Sequence, residues 1–188
     1  MEIGGVKMTG IIITIIVIIL IVGIAIRNKL VELKNLTDEA FSTMDVYLKK
    51  RWELVPNLVS TVKAYAEHES DVFEKISNAR AGNYDVLKND DKIEANLNLE
   101  KGLEQIRFVA EAYPELKANE NFMQLSDSLN KVEEDIANAR KYYNATVRKY
   151  NDKVEMFPSL IVAKLFGYKT RKMFEASSEE RKNVTIDM

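Results

Sequence analysis

Residues 8–26, MTGIIITIIVIILIVGIAI, form an unbroken apolar stretch near the N-terminus. After Met-Thr-Gly, only Thr14, Gly23 and Ala25 interrupt the Ile, Val and Leu residues, and no charge falls inside the stretch. In a helix, roughly 19 residues span about 28 Å, which is close to the hydrocarbon thickness of a bilayer. A helix is favoured in lipid because each unpaired backbone N–H or C=O group costs several kcal/mol there. Residues 8–26 are therefore predicted to be a transmembrane helix that contacts the lipid bilayer.

The residues that flank this stretch indicate an uncleaved anchor and its orientation. A secretory signal ends in small residues of the Ala-x-Ala kind, whereas Ile26 runs directly into a charged segment. Lys7 precedes the stretch, and Arg27, Lys29 and Lys34 follow it. Because positive charge accumulates on the cytoplasmic side, residues 1–7 are predicted to be a short extracytoplasmic N-terminus, with the remaining chain in the cytoplasm. The absence of cysteine is compatible with the cytosol but does not exclude the periplasm.

The rest of the chain has the composition of a helical bundle. Residues after Ile26 are rich in Ala, Leu, Glu, Lys and Asn, and contain only three of the seven glycines. The formal net charge is −2, so there is no electrostatic reason to expect a nucleic-acid partner.

Apolar side chains recur at steps of three and four residues, which is typical of helices that bury one stripe. The predicted stripes cover residues 30–47, 58–79, 99–113, 122–154 and 160–166. Pro56 could be a kink in one long helix or a turn between two, while residues 84–91 are predicted to be a loop. Asn119 or Asn121 is the expected N-cap of the longest stripe, and Gly167 the left-handed cap of the last. We predict an all-α fold, with an antiparallel up-and-down bundle of about four helical segments over 27–175 and a flexible charged tail over 176–188.

Few residues suggest chemistry. His68 lies between two glutamates, but the helical zinc-protease motif needs a second histidine four residues later, where Val72 stands. The acidic triplet 133–135 is expected on the solvated face of its helix, opposite the apolar stripe. We therefore expect no catalytic residue, metal, cofactor or small-molecule substrate. A metal-dependent hydrolase that uses His68 is the least favoured alternative.

Two segments are candidates for a protein contact surface. One is the basic run beside Trp52, which lies too far along a helix from Arg27, about 35 Å, to contact lipid headgroups across a Debye length of about 8 Å. The other is a Tyr-Asn pair repeated at heptad spacing, where the tyrosines could pack in the core or border a peptide-binding groove between helices. The candidate residues are Lys49, Lys50, Arg51, Trp52, Tyr142, Tyr143, Asn144, Tyr150 and Asn151.

Many of these residues belong to a series of spaced segments that extends over nearly the whole chain after the anchor. The segments are DVYLKKR at 45–51, LVPNLV at 54–59, TVK at 61–63 with Tyr65, His68-Glu69, Ala79-Arg80, ARKYYN at 139–144, Val147, Tyr150-Asn151, Phe157-Pro158, Phe166-Gly167-Tyr168 and Phe174-Glu175. In these residues and in their order, the chain resembles the LemA family of bacterial membrane proteins. Trp52 departs from the family pattern, which usually has a polar or smaller residue there.

The resemblance implies an N-terminal membrane helix, a cytoplasmic helical bundle and a location in the bacterial inner membrane. It does not imply an enzymatic activity. Together with the residues, it favours a non-enzymatic, membrane-anchored scaffold or adaptor that binds other envelope proteins or copies of itself. A receptor for a short peptide near Tyr143 and Tyr150 is the alternative.

Overall fold

Helices joined by short turns make up the part of the chain that the structure describes, and no strand occurs there. This computed structural model describes residues 2–174, with side chains from residue 8 onward except that of residue 9. The predicted tail, residues 176–188, lies outside this range. The elements are α1 (Glu2–Lys63), α2 (Ser70–Ala79), a 3-10 turn (Tyr84–Val86), α3 (Asn89–Ala112), α4 (Pro114–Lys117), α5 (Glu120–Glu155) and α6 (Ser159–Leu165). The prediction of an apolar N-terminal helix followed by a helical bundle is confirmed.

Helix α1 is the one helix among the described residues that is long and apolar enough to cross a membrane. Its most apolar window has a mean hydropathy of 2.9, and none of that window is buried within the protein. Side chains such as Ile19 and Leu20 are 63% and 60% exposed. This pattern fits a segment whose apolar side chains are covered by lipid rather than by the rest of the chain.

Pro56 lies inside α1 and does not end it. A proline in a helix interior removes one hydrogen bond and costs about 3 kcal/mol. Val55 and Leu58, on either side of Pro56, are both buried, with exposed fractions of 0% and 4%. The burial of these neighbours compensates for the lost hydrogen bond, and the possibility of a turn at Pro56 is not realised.

The helical break occurs instead at residues 64–69, where the sequence predicted a continuous stripe. Carbonyl Val62 O accepts hydrogen bonds from the N–H groups of both Tyr65 and Ala66, each at 3.0 Å, and α1 ends there. Position 69, which should carry the stripe towards Val72, is a glutamate. A helix without an apolar residue at such a position has little tertiary support, so it is interrupted.

The other helix ends follow local sequence signals. Asn119 Oδ1 accepts a hydrogen bond from the N–H of Phe122 at 3.0 Å, which makes Asn119 the N-cap that precedes α5. Gly167 has a φ of +72° and follows α6 as predicted. There the N–H of Tyr168 donates to Ala163 O at 2.9 Å, which closes the helix end. In contrast, α3 begins at Asn89, inside the predicted 84–91 loop.

The chain divides into two compact units, each with its own core. The first unit is Met1–Glu39 with Asn144–Met173, and the second is Ala40–Tyr143 with Phe174–Met188, as far as these ranges are described. The first core contains Leu30, Leu33, Tyr150, Val154 and Ala163, with Ile26, Val162 and Tyr168 packed against it. Fully or almost fully buried residues of the second unit include Met44, Leu48, Val62, Ile76, Ile93, Leu99, Ile106, Val132 and Ile136.

Candidate functional site

The buried polar network of the second unit is centred on Arg51. Its side chain has an exposed fraction of 0%. Its Nη1 donates to both carboxylate oxygens of Glu133, at 3.1 and 2.9 Å. Its Nη2 donates to the backbone and side-chain oxygens of Asn96, each at 3.0 Å, and Nε donates to the same side-chain oxygen at 3.3 Å. Arg51 thereby links α1, α3 and α5.

This arrangement corrects two predictions. Arg51 lies on the buried stripe of α1, between Leu48 and Val55, and so is not part of an exposed contact surface. Glu133 is not simply a solvated carboxylate, because it pairs with Arg51 and retains a side-chain exposure of 25%. The Arg51–Glu133 hydrogen bonds are charge-assisted, and they satisfy groups that would be costly to bury alone.

A second cluster adjoins the first through the 3-10 turn. Tyr84 is buried, and its hydroxyl donates to Asp45 Oδ1 at 2.7 Å. Lys92 Nζ donates to the other oxygen of Asp45 at 2.6 Å, and its ammonium lies 4.8 Å from the centre of the Tyr84 ring. Burial and then the hydrogen bond to Asp45 raise the pKa of Tyr84 well above its usual range. Tyr84 therefore remains a neutral hydrogen-bond donor at physiological pH.

Trp52 packs beside this cluster rather than on the surface. It is 7% exposed, and its ring centre lies 5.1 Å from that of Tyr84. The guanidinium of Arg80 lies 5.1 Å from the centre of the Trp52 ring. Burial lowers the pKa of Arg80, whose Nε has no hydrogen-bond partner among the described residues. Trp52 thus packs between Tyr84 and Arg80, and its burial contradicts its predicted place on an exposed contact surface.

The two tyrosines of the Tyr-Asn repeat belong to the cores. Tyr143, in the second unit, is 3% exposed and makes an edge-to-face contact with Phe41 at 5.6 Å between ring centres. Tyr150, in the first unit, is 2% exposed, and burial raises its pKa. The alternative of core packing is therefore confirmed, and neither tyrosine borders an exposed surface.

The asparagine that follows Tyr150 ties α5 to the segment after α6. Asn151 Nδ2 donates to Arg171 O at 2.9 Å, and Asn151 Oδ1 accepts from Arg171 N at 2.8 Å. The guanidinium of Arg171 also pairs with Asp38 of α1. Burial alone would raise the pKa of Asp38, but hydrogen bonds from Arg171 and Lys34 lower it below its usual value. Asn151 is half-buried and has a structural role, because it holds the backbone of Arg171. Asn144 is also half-buried.

Two members of the predicted surface are well exposed, and Lys49, like Asn144 and Asn151, is half-buried. Lys50 is exposed, and Tyr142 is 52% exposed. Lys49 is half-buried and pairs with Asp85 at 2.7 Å, which raises the pKa of Lys49 and lowers that of Asp85. A role of Lys49, Lys50 and Tyr142 in a partner surface stays a prediction.

His68 lies exposed in the turn after α1. Among the side chains that the structure describes, no group of three or more His, Cys, Asp or Glu residues is placed to hold a metal ion. The hydrolase hypothesis, which requires His68 and carboxylates to converge in a pocket, therefore gains no support from the geometry.

A groove of about 380 Å³ lies elsewhere in the second unit. Its lining includes Leu58, Leu103, Ile106 and Phe122, which form an apolar floor. Arg107 lies at its edge and donates to Asn130 at 3.1 Å. An apolar floor with a few polar groups at the edge suits a side chain of a bound peptide. The sequence stripes indicated these apolar residues as core but did not indicate the gap between them.

Comparisons with known proteins agree with this architecture. A family model described as the LemA family matches residues 40–188. Protein LemA of Metamycoplasma hominis is 26% identical over 160 residues, which cover 84% of this chain and 73% of that protein. The matched range includes the buried Arg51 network and all helices after the apolar segment, and the chain belongs to the LemA family.

Proposed function

We propose that this protein is a non-enzymatic, membrane-anchored helical scaffold or adaptor of the bacterial cell envelope. The continuity of α1 carries the proposal. This single helix is apolar enough to cross a membrane and also contributes buried residues to both units, such as Leu30 and Leu48. An anchor without an intervening linker keeps the folded part of the chain at the membrane. This arrangement suits a protein that binds partners there more than one that acts in free solution.

The proposed topology is a single pass through the inner membrane with the body in the cytoplasm. The charge asymmetry around the apolar stretch supports it, because Arg27, Lys29 and Lys34 follow that stretch closely. The expected partners are other envelope proteins or further copies of the chain. The buried polar side chains support a structural role, since Arg51 and Tyr84 donate hydrogen bonds to carboxylates within the protein.

Photo-crosslinking of the full-length protein in its membrane tests this function. A photoreactive phenylalanine analogue replaces Tyr142, and a matched protein carries it at Tyr113, a less exposed tyrosine on the same unit. The scaffold proposal predicts a discrete adduct at Tyr142 that has the same mass in repeated preparations and is much weaker at Tyr113. It also predicts that Lys50→Glu, at the other exposed member of the predicted surface, reduces this adduct without lowering the melting temperature. Equal or absent adducts at both positions would contradict a specific partner at this surface.

The groove favours a second candidate function, a receptor for a short peptide with an apolar anchor. The probes are synthetic peptides with leucine or phenylalanine anchors, added to the full-length protein in detergent. A peptide at 100 times its dissociation constant adds about 2.7 kcal/mol of stability, or about 5–11 °C in melting temperature. Ser126→Trp fills the groove and should abolish this shift, whereas Asp127→Trp on the exposed neighbour should not. A shift that survives Ser126→Trp would place the peptide elsewhere.

A further inference from the structure

The first unit carries an exposed apolar surface at the α5–α6 hairpin, which contains five large side chains. They are Met156, Phe157, Ile161, Leu165 and Phe166, with exposed fractions of 60%, 78%, 60%, 78% and 53%. This set is called the apolar hairpin surface below. Ile161 and Leu165 are four residues apart on α6 and therefore share one helical face. Exposed apolar side chains clustered in this way commonly mark an interaction site.

Contacts within the first unit place this hairpin beside the end of the apolar stretch. Ile26, the last residue of that stretch, packs against the cluster that contains Ala163 of α6, and Val162 joins the same cluster. The guanidinium of Arg27 lies 5.1 Å from the centre of the Phe166 ring. Arg27 is the first charged residue after the stretch, and such a cation lies at the headgroup level of a bilayer. With α1 across a bilayer, these contacts put the apolar hairpin surface at the depth where lipid headgroups meet acyl chains.

The charge of the segment also suits a membrane. Residues 156–173 contain Lys164, Lys169, Arg171 and Lys172 and no aspartate or glutamate. Cationic side chains beside an apolar helical face are the chemistry of interfacial helices that bind anionic lipid. A soluble protein partner would not explain why these features lie at the depth of Arg27.

We infer that the apolar hairpin surface is a second membrane contact, inserted into the headgroup–acyl boundary of the bilayer that α1 crosses. This inference rests on the proposed membrane anchorage of α1. The occupant is the anionic lipid surface. Two attachment points on one compact unit hold α1 at a fixed depth and rotation in the membrane, which a single spanning helix does not do.

Fluorescence quenching of the full-length protein in vesicles tests the inference. The chain has no cysteine, so single cysteines can carry an environment-sensitive fluorophore. Phe157→Cys and Leu165→Cys report on the hairpin, and Ile18→Cys reports on the anchor. Phe108→Cys is the matched control, because Phe108 is an aromatic residue of the second unit with 76% exposure against 78% for Phe157. The vesicles contain phosphatidylcholine and phosphatidylglycerol, with nitroxide-labelled lipids as quenchers at shallow or deep positions.

We expect blue-shifted emission and strong shallow quenching at positions 157 and 165, deep quenching at position 18, and little quenching at position 108. Omitting phosphatidylglycerol should weaken quenching at position 157 but not at position 18. Quenching at position 18 alone would overturn the hairpin contact and leave the anchor intact. Loss of quenching at position 18 would overturn the anchor, and the hairpin inference with it. Equal quenching at positions 108 and 157, or a blue shift at 157 without lipid quenching, would also overturn the inference, since these results indicate adhesion of the whole body or coverage by protein.

Discussion

Glu133→Ala should destabilise the bundle far more than a change at an ordinary helix surface. The substitution removes the carboxylate that accepts two hydrogen bonds from the fully buried Arg51. The guanidinium retains its bonds to Asn96, but its charge then lacks a counter-charge. Breaking a buried ion pair in this way costs about 3–5 kcal/mol. Because the Glu133 side chain is 25% exposed, water can partly replace it, and we expect about 2–3 kcal/mol.

The assay is thermal unfolding of the full-length protein in mild detergent, followed by circular dichroism. For a chain of this size, the expected loss corresponds to a decrease in melting temperature of about 4–12 °C. Glu134→Ala is the matched control, because this neighbouring glutamate is exposed, and it should change stability by no more than about 0.5 kcal/mol. Arg51→Met completes a double-mutant cycle with Glu133→Ala.

The cycle separates the ion pair from other effects of each substitution. Residues in direct contact show coupling energies of about 0.5–3 kcal/mol, and this pair should fall in the upper part of that range. The double variant should therefore lose clearly less stability than the sum of the single variants. Equal melting temperatures for Glu133→Ala and Glu134→Ala, or strictly additive losses, would refute the conclusion that Arg51 depends on Glu133.

Three further predictions concern individual contacts. In Gly102→Ala, the new Cβ would lie 2.6 Å from Ile76 Cγ1. The variant should lose about 1–2 kcal/mol of stability in thermal unfolding, although alanine is a better helix former than glycine. The double variant with Ile76→Ala should lose less stability than the sum of the losses in the two single variants. Tyr84→Phe should lose about 1–2 kcal/mol. Burial raises the pKa of Tyr84, so this phenol ionises at a higher pH than the exposed tyrosines. In an alkaline absorbance titration, Tyr84→Phe should therefore remove the absorbance change at the highest pH. Asp38 pairs with Arg171, and its pKa is lowered in the folded protein. Its contribution to the free energy of unfolding is therefore present above about pH 4 and is lost as the pH falls through its pKa in the folded protein. Asp38→Asn should therefore lower the melting temperature at neutral pH, and the two proteins should converge in acid; a constant difference across that range would contradict the linkage.

The regular spacing of apolar residues was sufficient to predict the helices that pack along their length. The stripe over 122–154 predicts α5, and Phe122, Val132, Tyr143 and Val154 are all buried. The break after Lys63 was missed because the predicted stripe runs through Tyr65 to Val72, although Glu69 interrupts it. Local spacing describes one helix at a time, so it does not reveal a groove or an ion pair that forms between helices distant in sequence.

The polar network nevertheless left a signal in the sequence. Arg51 stands three residues after Leu48 and four before Val55, and Asn96 stands three residues after Ile93 and three before Leu99. Both positions belong to buried stripes, and a charged or amide side chain there must find a partner because burying it alone is costly. A buried guanidinium requires hydrogen-bond acceptors from the facing helices, and here Asn96 and Glu133 supply them. Polar residues that interrupt otherwise regular stripes therefore indicate which helices face one another, and in this chain they indicate the contact of α1 with α3 and α5.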